Sequence, residues 1–389
     1  MVADKSTAEL QARFQSWRSR KESSGTAKKT NFSSEERNPM SVEPEEIQPI
    51  DPQRSMSPNK QREQREAQKG AAMDLVLQGV EYHQSGEFEL AIRSFQEALK
   101  LQTIVYGGDH HAHVAHTLSN IGSVYLRQGK LPEAQEALLK ALDIKEQLRG
   151  KCQDDNEKQK IVISDVLNNL GNLAYLQGNY TTSMQFYRQN LRELRKRGVP
   201  DDDLASTLHN IGRLHVIRQE WDAASTILTQ CQTVEETLYG LKSPKLADTL
   251  ELIGYVHLTH KSYDNAMIAF SDALSIHQQN LGAVHENVAT ALINVAMVME
   301  GQGNLKHACQ TYQTARDVFR EIEADKNHRG YVYAQRGYEK LKIQLRNDKK
   351  NRASTEQQRK PELHLVTEMG YDQRESENSL VHGRDSQFE

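Results

Sequence analysis

Residues 117–148, TLSNIGSVYLRQGKLPEAQEALLKALDIKEQL, contain two helical patterns separated by a short break, and this arrangement decides the fold of the chain. Small and apolar residues recur at the spacing of one helix face in each half: Leu118, Gly122 and Tyr125, then Ala134, Leu138 and Ala141. Gly129 suits the left-handed residue that ends a first helix, and Pro132 suits the first turn of a second one. The stretch therefore predicts two closely packed helices with small residues at their contact.

The same pattern recurs along the chain with a period close to 42 residues. The positions equivalent to Gly122 serve as anchors: Gly79, Gly122, Gly171, Gly212, Gly254 and Ala296. Leucine stands four residues before each anchor, at Leu75, Leu118, Leu167, Leu208, Leu250 and Leu292. The turn position seven residues after the anchor holds Gly86, Gly129, Gly178, Gln219, Lys261 and Gly303. A large apolar residue follows sixteen after the anchor: Phe95, Leu138, Tyr187, Leu228, Phe270 and Tyr312. Such regular columns indicate an internally repeated structure.

This order of residues resembles the tetratricopeptide repeat over about residues 71–324. The resemblance implies an all-α fold, namely a right-handed superhelical solenoid of about six helix pairs. Residues 331–345 are expected to form a capping helix over the last apolar face. The long period and the joints at residues 107–115, 239–247 and 281–289 are similar to the kinesin light chain type of repeat.

The repeats divide the chain into three parts. Residues 71–346 are predicted to form the solenoid, with a polar insertion at residues 150–160 that lengthens one repeat. Residues 21–68 and 347–389 are polar and lack apolar periodicity, so residues 1–70 and 347–389 are predicted to be mostly disordered tails.

Composition and motifs exclude several classes of function. The 49 lysines and arginines against 53 acidic residues argue against a nucleic-acid binder, which would carry a basic surface. No apolar run is long enough to predict a membrane span, and three widely spaced cysteines are typical of a cytoplasmic protein. We find no nucleotide-binding or hydrolase motif, so no catalytic residue and no cofactor are predicted. His110, His113 and His116 have a metal-like spacing, but they fall in an inter-repeat joint, and no metal site is predicted there.

The binding surface is expected on the first helices of the pairs, which line the concave groove of such a solenoid. Asparagine stands two residues before four of the six anchors, at Asn120, Asn169, Asn210 and Asn294, and Asn172 lies beside them. Asparagine offers both a donor and an acceptor, so a row of asparagines can hold the backbone of an extended peptide. Groove asparagines have this role in the family that the repeats resemble. Arg127 and Arg213 add positive charge that suits an acidic peptide.

These features predict a protein-interaction adaptor or scaffold that binds other proteins through extended peptide segments. A narrower hypothesis is a kinesin light chain-like cargo adaptor, although residues 58–70 lack the apolar heptad seam of a motor-binding coiled coil. Two further hypotheses are a co-chaperone clamp for a terminal carboxylate and an enzyme or enzyme subunit. The sequence lacks the lysine pattern that the clamp requires and the catalytic motifs that an enzyme requires.

Two short motifs lie in the N-terminal tail. Leu10, Phe14 and Trp17 would share one face of a short amphipathic helix over residues 8–19, which makes them a candidate docking motif for a partner, for the solenoid itself or for an anionic membrane surface. Ser57 precedes Pro58 and is a candidate proline-directed phosphorylation site.

Overall fold

The computed structural model describes residues 57–154, 157, 161–325 and 327–363. These residues form thirteen helices of thirteen residues or more and no strand. The helices are α1 (Pro58–Ser85), α2 (Phe88–Tyr106), α3 (Ala112–Gln128), α4 (Leu131–Lys151), α5 (Ser164–Leu176), α6 (Tyr180–Arg197), α7 (Asp202–Ile217), α8 (Trp221–Tyr239), α9 (Pro244–Thr259), α10 (Tyr263–Leu281), α11 (Glu286–Gly301), α12 (Leu305–Glu321) and α13 (Arg329–Leu363). The chain divides into two compact units, Met1–Val256 and His257–Glu389. The predicted all-α fold is confirmed for the described residues.

Within the first unit, four anchor glycines lie directly against the large residue sixteen positions later. A Cβ atom placed on Gly122 would lie 2.6 Å from Leu138 Cγ, and one on Gly171 would lie 2.3 Å from Tyr187 Cε1. Gly79 with Phe95 and Gly212 with Leu228 repeat this contact. Because the side chain of glycine is a single hydrogen, a large apolar side chain of the second helix can pack directly against the backbone of the first.

The turn column has the left-handed backbone that the glycines predict. Its φ values run from 57° to 84° at all six positions, including Gln219 and Lys261, which are not glycine. At Gly129, the amide N–H donates to Leu126 O, and that of Lys130 donates to Tyr125 O. This pattern satisfies the last carbonyl groups of α3 and reverses the chain into α4.

Apolar side chains fill the seams between successive pairs of the first unit. Leu167, Leu170 and Leu173 of α5 are fully buried and belong to the same cluster as Leu138 of α4 and Phe186 of α6. Lys145 on α4 donates hydrogen bonds of 2.6 and 2.8 Å to the carboxylate of Asp165 on α5. This ion pair joins the two helices that flank the insertion.

In the second unit, α13 covers the last helix pair. Ala334 and Leu341 are fully buried in a cluster with Tyr312 and Phe319 of α12, as expected for a capping helix. No helix of the described residues combines the length and the apolar character needed to cross a bilayer.

Helical structure crosses both of the predicted tail boundaries. The first helix begins at Pro58, so residues 58–70 are helical where a disordered tail was expected, and α13 continues past residue 346 to Leu363. Both extensions are polar, and the missing apolar periodicity hid them, although lysine, arginine, glutamine and glutamate favour helices. Arg65 secures the first extension by donating to Val105 O at 2.7 and 2.9 Å. The remaining parts of both predicted tails lie outside the described residues.

Candidate functional site

Three successive first helices, α3, α5 and α7, contribute to one surface pocket of about 260 Å³. We call it the α3–α5–α7 pocket. Its lining residues are Ser123, Leu126 and Arg127 of α3, Asn169, Asn172, Tyr175 and Leu176 of α5, and Arg213 of α7. The fold therefore brings together four of the residues predicted from sequence, which are Arg127, Asn169, Asn172 and Arg213.

Local sequence fixes where these helices begin. The ring nitrogen Nδ1 of His111 accepts a hydrogen bond from the His113 N–H and caps α3. The carboxylate of Asp201 caps α7 by accepting from the Leu204 N–H at 2.8 Å. Because the anchor contacts recur in successive pairs, equivalent residues of neighbouring pairs stand side by side.

Part of the polar surface is already hydrogen-bonded inside the protein. Asn210 Nδ2 donates to Asn168 Oδ1 at 3.2 Å and to Asn172 Oδ1 at 3.4 Å. The hydroxyl of Tyr187 also donates to Asn172 Oδ1, at 2.6 Å. Burial raises the pKa of Tyr187 to about 12 despite the opposing charge of Arg213, so this hydroxyl stays protonated. Asn172 and Asn210 therefore have a structural role as well as a place at the site.

Other polar atoms on α3, α5 and α7, inside the pocket and outside it, keep their hydrogen-bonding capacity. Asn120 Nδ2 on α3 is buried without a hydrogen-bond partner among the described residues, as is Nε of Arg213. Asn169 Nδ2 has one long contact, 3.5 Å from Ser119 Oγ. Buried donors without partners are costly, so these groups are suited to a ligand that brings acceptors.

Two unpaired cations give the pocket its electrostatic character. The Arg213 guanidinium lies over the Tyr175 ring, and its Nη2 donates to Asn210 Oδ1 at 3.2 Å. Arg127 is exposed and lies 5.6 Å from the centroid of the Phe88 ring. Among the described residues, neither arginine forms a salt bridge with a carboxylate. The pocket can thus supply two positive charges to a bound acid.

The remaining predicted residues do not join this pocket. Asn294 is half-buried on α11 and belongs to the second unit. Ser57 is exposed immediately before α1, with no capping hydrogen bond from its side chain. Leu10, Phe14 and Trp17 lie outside the described residues.

The histidine-rich joint is used structurally. The His111 ring stacks on Tyr106 with centroids 3.7 Å apart, and His116 Nδ1 lies 3.5 Å from an Asp165 carboxylate oxygen. His110, His113 and His116 do not form a potential metal-binding group within the described residues.

Sequence reasoning missed Tyr175 and Asn168. Tyr175 lies four residues after its anchor, one helical turn along the same face, and Asn168 lies three residues before it. Both positions are further columns of the repeat on the first helix, so the repeat pattern carries a signal for them.

The family model for the tetratricopeptide repeat matches residues 75–147, 162–234, 203–279 and 245–321, which together span more than half of the chain. The solved structure of BtubC (BKLC) from P. vanneervenii is similar at 18% identity and a TM-score of 0.51, covering 61% of this chain and 93% of that one. The Cut9–Hcn1 hetero-tetramer of the APC/C gives 12% identity and a TM-score of 0.52, covering 69% of this chain and 42% of that one.

The kinesin light chain TPR-like repeats from Podosopora anserina give 12% identity and a TM-score of 0.45, covering 55% of this chain and 99% of that one. A comparison with curated proteins returned no match. At these sequence identities the structural similarities show the fold alone. The assignment to a family rests on the family model. The chain belongs to the tetratricopeptide-repeat family.

Proposed function

We propose that this protein is an interaction adaptor or scaffold that binds an extended, acidic peptide segment of a partner protein in the α3–α5–α7 pocket. The observation that carries the proposal is the convergence of two arginines without carboxylate partners and an asparagine amide on one open surface. An acidic side chain would pair with the arginines, while the amides would bond the peptide backbone.

The geometry favours an extended peptide over a compact ligand. The polar groups come from three successive first helices, so they follow one another across the surface. A peptide in extended form exposes backbone donors and acceptors along its whole length. The exposed Leu176 at the edge of the pocket supplies an apolar contact for a side chain of that peptide.

The test is selection of short random peptides displayed on phage with the full chain as bait. We expect the enriched peptides to contain an excess of Asp and Glu. A synthetic enriched peptide should bind the Arg127→Ala/Arg213→Ala double variant about tenfold or more weakly in fluorescence anisotropy, since each charged hydrogen bond contributes about 1.5–3 kcal/mol.

Arg188→Ala is the matched control because Arg188 is exposed on α6 and outside the pocket. A peptide with Gln and Asn in place of Glu and Asp controls for shape. Enrichment without acidic residues, or equal weakening by Arg188→Ala, would contradict the proposal.

The narrower proposal, a kinesin light chain-like cargo adaptor, differs in its partner. It requires a motor-binding segment, and the described residues 59–67 of α1 are exposed and polar without an apolar seam. The broader adaptor role is therefore the better supported of the two. The tetratricopeptide fold is typically non-catalytic, and the absence of enzymatic activity and a cytoplasmic location remain predictions.

A further inference from the structure

The fourth helix pair has an unusual set of residues at three positions of the repeat. The position nineteen residues after the anchor holds Ala98, Ala141, Asn190, Cys231, Ala273 and Ala315. The position twenty-three after holds Gln102, Lys145, Leu194, Glu235, His277 and Phe319. The position three before holds Val76, Ser119, Asn168, His209, Glu251 and Ile293. Only the fourth helix pair combines a histidine, a cysteine and a carboxylate at these three positions.

The fold brings these three side chains together. His209 lies on α7, and Cys231 and Glu235 lie one turn apart on α8. A ring nitrogen of His209, the Cys231 sulfur and a carboxylate oxygen of Glu235 are all within 4.8 Å of one another. In a tetrahedral zinc site with bonds of about 2.0–2.3 Å, ligand atoms stand roughly 3.3–3.8 Å apart. Side-chain movements of about 1 Å would therefore bring the three side chains to this spacing and leave the fourth position for water.

Thr249 on α9 adjoins the cluster. Its Oγ1 is 2.9 Å from His209 Nδ1 and 3.7 Å from Cys231 Sγ. A hydroxyl at this place can orient the imidazole from the second coordination shell, as hydrogen-bonding partners of metal-bound histidines do. The half-buried face of His209 gives an ion a path from solvent, because Cys231 and Glu235 are buried behind it.

The carboxylate of Glu235 is the observation that points to a ligand. Glu235 is 3% exposed; Thr249 and Cys231 lie close enough to favour its carboxylate form, but its Oε2 has no hydrogen-bond partner among the described residues. Lys245, whose charge favours the carboxylate form, has its Nζ bonded to Asp202 and Tyr239 instead. Asp248 faces the same group and adds negative charge. A buried carboxylate oxygen without a donor is costly, and a cation bound beside it would remove that cost.

Charge balance and donor type select the ion. A thiolate and a carboxylate carry two negative charges, and the neutral imidazole carries none, so a divalent cation leaves the buried site neutral. Sulfur and imidazole nitrogen favour Zn²⁺ or Co²⁺ over Mg²⁺ and Ca²⁺, which prefer oxygen ligands. Burial raises the pKa of Cys231 to about 12, so binding must release the thiol proton to solvent.

We propose that His209, Cys231 and Glu235 form a binding site for Zn²⁺ or a similar divalent transition-metal ion, with water as the fourth ligand. The site clamps α7 to α8 and does not depend on the proposed peptide pocket. The competing explanation is a neutral hydrogen-bonded cluster of the same side chains with Thr249.

Titration of the full chain with Co²⁺, after treatment with a chelator, separates these two explanations. A cobalt–thiolate bond produces a charge-transfer absorption in the near ultraviolet, which a hydrogen-bonded cluster does not produce. We expect this band to saturate at about one equivalent of Co²⁺ and to disappear when Zn²⁺ is added. No such band in the folded wild-type chain would overturn the proposal.

Variants assign the band to these residues. Cys231→Ala should abolish it without unfolding the chain, since alanine is the residue at this column in four other pairs. Cys309→Ala is the matched control and should keep the band, because Cys309 is a buried thiol in the second unit. Glu235→Gln should weaken Co²⁺ binding about tenfold or more, since loss of a ligand costs at least as much as loss of a second-shell partner. A band that persists in Cys231→Ala would assign the metal elsewhere and overturn the proposal.

Discussion

The guanidinium of Arg213 lies 4.2 Å from the centroid of the Tyr175 ring, one repeat away along the stack. The ring holds the cation at the mouth of the α3–α5–α7 pocket without neutralising its charge, because a cation–π contact adds no counter-charge. A lysine would keep the charge but would lose the planar stacking and the forked donors of the guanidinium. Substitutions of Arg213 should therefore affect peptide affinity according to whether they keep the charge and the contact with Tyr175.

We predict that Arg213→Lys keeps part of the affinity for an acidic peptide, whereas Arg213→Ala loses about tenfold or more. Both variants should fold, since Arg213 is half-buried at the surface. Fluorescence anisotropy at two salt concentrations measures the effect, and the salt dependence should fall only in Arg213→Ala. Equal affinities for the wild type and Arg213→Ala would contradict a charge role.

The asparagines should separate into binding and structural residues. Asn169→Ala should weaken peptide binding by several-fold while changing the free energy of unfolding little, because Asn169 has only a long internal contact. Asn210→Ala should destabilise the fold by about 1 kcal/mol, because it removes bonds to Asn168 and Asn172. Urea unfolding together with the binding assay distinguishes the two effects. If Asn169→Ala destabilised the fold and Asn210→Ala affected only peptide binding, the bonds of Asn210 to Asn168 and Asn172 would not contribute to stability.

Gly171→Ala should destabilise the protein by about 1–3 kcal/mol through overpacking. The new Cβ would lie 2.3 Å from Cε1 of Tyr187, whose fully buried ring has no space to move into. Gly150→Ala is the control, since Gly150 lies in the last turn of α4 with nothing within 4 Å of the added atom. It should be neutral or stabilising by about 0.5–1 kcal/mol. Urea unfolding measures both, and similar values for the two variants would contradict the anchor contact.

Gln219→Gly should stabilise the protein because Gln219 has φ of 57° at the end of α7. A left-handed residue with a Cβ costs about 1–2 kcal/mol, and glycine removes this cost. The greater freedom of glycine in the unfolded chain opposes that gain by about 0.4–1 kcal/mol. A net increase of roughly 0.5–1 kcal/mol in the free energy of unfolding is expected. Gln128→Gly, one residue before the left-handed Gly129, should destabilise instead.

The ion pair between Lys145 and Asp165 should make stability depend on pH in the acid range. Burial alone would raise the pKa of Asp165, but the hydrogen bond from His116 and the charge of Lys145 outweigh it and lower this pKa to about 2. The stabilisation is therefore fully present above the ordinary pKa of 3.8 and is lost as the pH falls through about 2.

Asp165→Asn should cost about 3 kcal/mol at neutral pH, since it leaves Lys145 buried without a counter-charge. The difference from the wild type should shrink as the pH approaches 2. Denaturation series at several pH values measure it, with exposed Asp143→Asn as the control. A difference that stays constant from neutral pH to pH 2 would contradict the pKa assignment.

The sequence by itself determined the helix pairs, the close contact of anchor glycines such as Gly122 and Gly171 with their large partners, and the left-handed turns. All of these are set within one pair by helical periodicity, by side-chain size and by backbone sterics, which repeat every 42 residues or so. It did not reveal the polar helix extensions, because they bury few apolar side chains and leave no periodic trace.

Only the tertiary structure decided which side chains meet between neighbouring pairs. The rotation from one pair to the next and the side-chain rotamers place Arg213 over Tyr175 and turn Asn210 toward Asn172. Within the fourth pair, side-chain rotamers bring His209 of α7 to Cys231 and Glu235 of α8. Residues in such contacts lie far apart in sequence, and no periodicity within a single helix encodes the direction in which each side chain points.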